Sequence, residues 1–150
     1  MNPSTMSPNQ HTRRVPRGGK AAHAFSPSAM PPLVLIAEDD DDIRLVMKML
    51  LEMKRYRTAE AANGQEAVET AERERPDVIL VDLQLPRLNG FAVTRFVRQH
   101  EGLCRVPIVV VSGHDPARHL NLALAAGCNA YLQKPIDFDQ LDDLLVGLLQ

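Results

Sequence analysis

The sequence predicts an α/β fold built on one parallel sheet with helices on both faces. Three observations predict it. The runs LVLIA (33–37), VILVD (78–82) and IVVVS (108–112) are short and continuously apolar, as strands buried on both faces must be. Each run is followed by a segment whose apolar residues recur at helical spacing. Strand and helix alternate five times over residues 33–150, and such alternation demands parallel strands whose crossovers return across the sheet.

Each element has its own signal. After the first strand, Ile43, Val46, Met47 and Leu50 fall at i, i+3, i+4 and i+7, which predicts the buried face of a helix. Residues 57–61 (RTAEA) form a weak second strand, closed by the turn signal Asn63-Gly64. Residues 65–75 predict a helix with Ala67, Val68 and Ala71 inward, stopping before Pro76. The third strand runs into the loop LQLPRLNG (83–90), punctuated by Pro86 and Gly90, and then into a helix over 91–100. The fourth strand follows Pro107. The helix after it, 116–126, has Asp115 as N-cap, Pro116 at its first position and Gly127 as its stop. A short strand at 130–133 and an amphipathic helix at 138–149, capped by Asp137, complete the chain. Five strands in so short a stretch fit a doubly wound, flavodoxin-like (βα)5 sandwich with sheet order 2-1-3-4-5. A closed eight-stranded barrel needs roughly twice the length.

Composition narrows the function classes. The formal charge of −2 gives no argument for nucleic acid, and no apolar run reaches the length of about 18 residues that a membrane span needs. Aromatics are 4% of the chain and Trp is absent, so the core is aliphatic. Cys104 and Cys128 form neither a disulfide framework nor a metal motif, and are expected to be buried or inert thiols in a reducing, cytoplasmic compartment. His100, His114 and His119 show no metal spacing and are expected at the surface. Charge is uneven along the chain. Residues 1–32 have no Asp or Glu, carry Arg13, Arg14, Arg17 and Lys20, and hold six of the eleven prolines. The remainder holds 13 basic and 19 acidic residues, a net −6. The segment 1–32 reads as a flexible tail; a weak basic interaction arm and a start codon placed too early are the other readings, since Met30 sits just before the first strand. It has no apolar h-region of a secretory signal.

In open parallel sheets, ligands bind outside the carboxyl ends of the strands, where the strand order reverses. Glu38 and Asp39 end the first strand, Asp82 ends the third, Ser112 ends the fourth and Lys134 follows the fifth. The predicted order therefore brings Glu38, Asp39 and Asp82 together. Three carboxylates in one cleft repel unless a cation joins them, and hard oxygen donors favour Mg2+, commonly completed by a phosphate oxygen. Lys134 can supply a point charge to an anion held there, and Ser112 a hydrogen bond. That inventory suits phosphoryl transfer, in which positioning and charge neutralisation dominate. A carboxylate can itself attack phosphorus, and Asp82 is the candidate nucleophile because it emerges alone from a strand into a loop.

LIAEDDDDIR, VILVDLQLPRLNGF, PIVVVSG and YLQKP, in that order, resemble the receiver domain of bacterial two-component signalling, the response-regulator family. The resemblance spans essentially all of 33–150. It implies that Glu38 and Asp39 are metal-binding acids, Asp82 the phosphorylated aspartate, Ser112 the hydroxyl switch, Tyr131 the aromatic switch, and Lys134 the lysine preceding a cis proline. It also implies that the backbone carbonyl of Gln84 binds the metal. Asp40, Asp41 and Asp42 then cap and charge the first helix rather than bind metal. There are departures. Ser112-Gly113 stands where the family more often has Thr-Ala, so a packing methyl is lost and the loop is looser. Gln84 and His114 occupy positions that vary in the family and tune acyl-phosphate lifetime.

The expected function is thus a phosphoacceptor signalling module, taking a phosphoryl group from a sensor histidine kinase or a histidine phosphotransfer protein onto Asp82. It is not an enzyme beyond its own phosphorylation and dephosphorylation. A haloacid-dehalogenase-like phosphatase wants a second Asp two residues after the nucleophile, where this chain has Gln84. A phosphorylation-independent scaffold is disfavoured by the intact acids, hydroxyl and lysine. Because the chain ends just after the fifth helix, output is expected through protein contact, as in a stand-alone chemotaxis-type regulator, unless the chain is a piece of a longer one. The downstream protein is expected to dock on the 116–145 face, without direct DNA or membrane binding.

Overall fold

Five parallel strands, β1 (Leu33–Ala37), β2 (Arg57–Ala61), β3 (Val78–Asp82), β4 (Ile108–Ser112) and β5 (Ala130–Gln133), lie in the order β2-β1-β3-β4-β5. The crossovers are α1 (Asp41–Met53), α2 (Gly64–Glu74), α3 (Gly90–Gln99) and α4 (Pro116–Ala126), and α5 (Phe138–Leu148) follows β5. The structure is a computed structural model that describes residues 30–150. The tail expected over 1–32 therefore lies, up to residue 29, outside the described residues.

The strand sequences explain their places. β1, β3 and β4 are buried at every position and occupy the middle of the sheet. RTAEA buries only Ala61, and AYLQ only Leu132, so β2 and β5 form the edges. Alternate residues point to opposite faces. Leu35, Ala37, Ile79, Val81, Ile108 and Val110 pack with Ala67, Ala71, Val93, Val97 and Ala123 from α2, α3 and α4. Val34, Ile36, Val78, Leu80, Val109 and Val111 form the buried set on the other face, where α1 and α5 supply Met47, Leu51, Leu141 and Leu145.

Helix α1 departs from the sequence-based expectation. Its most buried residues are Met47 and Leu51, while Val46 is 47% exposed along with Leu45, Met49 and Met53. Apolar residues occur all round this helix, so periodicity alone does not set its rotation. Cys104 is exposed in the turn after α3, whereas Cys128 is buried.

Asn63-Gly64 is a helix start rather than a turn. Asn63 Oδ1 accepts from the Glu66 amide at 2.8 Å as the N-cap of α2, and Gly64 is the first residue of the helix. Its amide donates to the Pro86 carbonyl at 3.1 Å, and a Cβ added there would overlap the Leu88 carbonyl. Glycine is needed here for close approach to the loop after β3. Gly64→Ala is expected to cost about 1–3 kcal/mol in urea unfolding, because backbone on both sides must shift. A fully stable alanine variant would show that the loop yields freely.

Beneath α1, Tyr56 is 3% exposed, and burial, with the nearby Asp142 charge, pushes its phenol pKa up to about 12. A raised folded-state pKa means that the contribution to stability is intact below the unfolded value near 10 and is lost as pH rises toward 12. Tyr56→Phe is therefore expected to shift alkaline unfolding to higher pH. Identical alkaline transitions in the two proteins would remove Tyr56 as their cause.

Candidate functional site

The register places the strand ends. Ala37 pairs with Val81, Asp82 with Val111 and Ser112 with Gln133, so the residues following β1 and β5 flank the ends of β3 and β4. The Glu38 amide donates to the Ala61 carbonyl at 3.0 Å, extending the β1–β2 pairing by one residue. The Lys134 amide donates to the Ser112 carbonyl at 2.8 Å, and the Lys134–Pro135 bond is cis.

These backbones converge three acids and one cation. Lys134 Nζ lies 2.7 Å from Glu38 Oε1 and 2.7 Å from Asp82 Oδ2. Glu38 is 2% exposed and Asp82 6%, while Asp39 is open to solvent. Oxygens from Glu38, Asp39 and Asp82 all lie within 4.8 Å of one another. Three negative charges against one positive leave a local excess of two, the charge of one divalent ion. An ion with oxygen bonds of about 2 Å and some retained waters can join such a span, so the donor set fits Mg2+.

Two of the three carboxylates are oriented by backbone amides. Glu38 Oε2 accepts from the Asp40 amide at 3.1 Å, and Asp82 Oδ1 accepts from the Gln84 amide at 2.9 Å. Burial pushes the Glu38 pKa above the usual carboxylate range, opposed by the Lys134 bond and the Asp40 amide and reinforced by the Asp82 charge. Burial disfavours the Lys134 ammonium, but its hydrogen bonds to Asp82 and Glu38 outweigh that and hold its pKa above the ordinary lysine value.

The other acids of the run are occupied elsewhere. Asp40 Oδ1 caps α1, accepting from the amides of Asp42 and Ile43 at 2.9 and 3.0 Å. Asp41 pairs with Arg44 at 2.6 Å. Arg44 is a part of the site that sequence reasoning missed: its Nη1 donates to the Glu38 carbonyl at 2.7 Å and its Nε to Glu60 at 3.2 Å, fixing the turn that presents the acids. The available signal was its i+3 spacing from Asp41.

Ser112 and Tyr131 meet through a shared neighbour. Ser112 is fully buried, and its Oγ accepts from the His114 amide at 3.1 Å. The Tyr131 hydroxyl donates to the His114 carbonyl at 3.0 Å, and its ring already packs against the core. Both side chains are thus engaged on one residue of the β4–α4 loop, Ser112 on its amide and Tyr131 on its carbonyl. Gln84 is exposed beside the acids.

A family model for the response regulator receiver domain matches residues 34–146. The chain belongs to that family. The receiver domain is 35% identical over 120 residues to the polar-differentiation response regulator DivK of Brucella anthropi, covering 80% of this chain and 98% of that protein. The transcriptional regulatory protein AfsQ1 of Streptomyces coelicolor is 33% identical over 121 residues, covering 81% of this chain but 52% of its own length. Among solved structures, the receiver domain of the sensor histidine kinase PA1611 of Pseudomonas aeruginosa is 34% identical with a TM-score of 0.74, covering 79% of this chain and 98% of its own. That structure has a magnesium ion coordinated in its active-site cleft. The chemotaxis protein CheY4 of Vibrio cholerae is 29% identical with a TM-score of 0.75, covering 81% of this chain and all of its own. The receiver domain is accordingly a signalling module of two-component systems, with the flavodoxin-like order expected from its sequence. Among the described residues, no helix is long and apolar enough to cross a membrane.

Proposed function

We propose that Asp82 is the phosphoacceptor of this receiver domain. The carrying observation is the double contact of Lys134 Nζ, 2.7 Å from both Glu38 and Asp82, at the carboxyl ends of the strands and beside Asp39. One Asp82 carboxylate oxygen attacks the phosphorus of a phosphohistidine on a sensor kinase or phosphotransfer protein. The P–N bond breaks, the imidazole leaves as a neutral ring after taking up a proton, and an acyl phosphate forms on Asp82. Glu38, Asp39, Asp82 and the Gln84 carbonyl would hold Mg2+, which supplies charge neutralisation to the phosphoryl oxygens. Lys134 exchanges a carboxylate partner for a phosphoryl oxygen, and the Gln84 amide orients the nucleophile.

Output rests on His114. If Ser112 Oγ turns to the phosphoryl group it releases the His114 amide, and the Tyr131 contact on the carbonyl of the same residue adjusts. The surface affected is 116–145, where α4 exposes Leu122 at 59% and Leu124 at 47%, apolar area suited to a partner protein rather than to DNA. A cytoplasmic setting, where such phosphodonors act, belongs to the same reading.

Acetyl phosphate with Mg2+ is expected to place one base-labile phosphoryl group on Asp82. Asp82→Asn should abolish it, and Asp39→Asn should suppress it at low Mg2+. Ser112→Ala should keep the label but lose the amide shift changes that a beryllofluoride mimic produces across 116–145. Label recovered on Asp40, Asp41 or Asp42 would overturn the assignment.

A further inference from the structure

The β4–α4 loop carries a second pair of metal-ligating side chains, separate from the carboxylate cleft. His114 lies two residues beyond Ser112, and His119 sits one turn inside α4. Their ring centroids are 4.7 Å apart, with planes inclined at 51°. Both residues are partly exposed, which gives an ion a way in. The His114 backbone is fixed at both ends, by Ser112 Oγ on its amide and by the Tyr131 hydroxyl on its carbonyl. Its imidazole is therefore presented from an ordered loop. On the opposing ring, His119 Nδ1 is buried without a hydrogen-bond partner, so Nε2, which no hydrogen bond occupies, is the nitrogen left to take an ion.

The spacing suits one ion. With a metal–nitrogen bond of about 2.0–2.1 Å along the lone pair, an ion sits roughly 3.2 Å from each ring centroid. Centroids 4.7 Å apart then subtend an angle of about 95° at the ion, within the range of cis ligands. Asp115 lies between the two histidines in sequence, but its Oδ1 caps α4 by accepting from the Ala117 amide at 3.0 Å, so water completes the shell. Imidazole pairs select borderline ions such as Zn2+, whereas the oxygen-only cleft selects Mg2+.

We propose that His114 and His119 together bind one divalent transition-metal ion of the Zn2+ class on the β4–α4 loop. The ion would staple the loop to the first turn of α4 and restrain the residue that Ser112 and Tyr131 share. That restraint on switching rests on the phosphoacceptor reading above; the ion site itself does not, and it is tested without phosphorylation.

The probe is Zn2+ added to the full chain in a large excess of Mg2+, followed by calorimetry and by NMR of the imidazole nitrogens. One Zn2+ per chain is expected, with the His114 and His119 nitrogens shifting together while His11, His23 and His100 serve as references. His114→Gln and His119→Gln should each weaken binding at least about tenfold. Asp39→Asn should leave it unchanged while weakening Mg2+. The proposal fails if the two rings ignore Zn2+, or respond no more than His100. It fails equally if affinity survives both glutamine substitutions, or if the Zn2+ site disappears with Asp39→Asn. The imidazole signals of the unaltered chain decide the matter even if a variant folds poorly.

Discussion

Lys134→Met is expected to be the most damaging single charge removal in the fold. Lys134 is the cation within 2.7 Å of both Glu38 and Asp82, and those carboxylates are 2% and 6% exposed. Breaking a fully buried pair by removing one partner costs about 3–5 kcal/mol, because the remaining charge stays buried and uncompensated. The Lys134 side chain is 20% exposed, so solvent screens part of that, and about 2–4 kcal/mol is expected. For a domain of this size the melting temperature should fall by roughly 10 °C. Mg2+ should restore much of the loss, because it supplies to the same oxygens the charge that the methionine lacks. Adding Asp82→Asn to Lys134→Met should give a double variant more stable than the two separate losses would add to, since the second change removes the charge that the first one stranded. Equal melting temperatures for Lys134→Met and the unaltered chain, without Mg2+, would mean that the acids are not held by this lysine.

Arg98→Ala comes next in expected effect, and it acts far from the carboxylates. The Arg98 guanidinium donates to the carbonyls of Gly127 at 2.8 Å, Val106 at 2.7 Å and Cys104 at 3.1 Å, and to Asn129 Oδ1 at 2.8 Å. Asn129 Oδ1 also accepts from the Ile108 amide at 2.8 Å, so a single side chain ties the end of α3 to the turns before β4 and β5. Its loss leaves several acceptors in partly buried turns without a charged donor, each worth about 1 kcal/mol or more. A total of about 2–4 kcal/mol is expected in urea unfolding, with faster hydrogen exchange at the amides of Ile108 and Asn129. Arg98→Lys should recover little, because an ammonium cannot span four divergent acceptors. Phosphorylation of Asp82 should survive in both variants. A loss confined to the α3 helix itself would show that the turns hold without the arginine.

The central strands and the acid cleft were legible because both obey short-range rules. LVLIA, VILVD and IVVVS are bounded by Pro or Gly signals and acids, and the strand-end rule then carried Glu38, Asp82 and Lys134 to one place. Other features depend on contacts distant in sequence. Gly64 reads as a turn residue beside Asn63; its need for glycine comes from Leu88, far along the chain. Arg98 looks like one more solvated arginine on a helix, because its acceptors are mostly backbone carbonyls, which carry no residue signature. The rotation of α1 is hidden by apolar residues on every side. The engagement of Ser112 and Tyr131 on His114 is a matter of rotamers, and His114 and His119 straddle a loop and a helix, where no single period relates them.

The strand order also sets when the charges balance as the polypeptide leaves the ribosome. β1 and β3 are neighbours in the sheet and both precede residue 83, so Glu38 and Asp82 are brought together as soon as those strands pair. The lysine that neutralises them follows β5, an edge strand that comes later in the chain than both. A chain in which β1 and β3 pair before β5 docks would hold Glu38 and Asp82 side by side without Lys134. Docking of β5 therefore completes the sheet and delivers the neutralising charge of Lys134 in the same step.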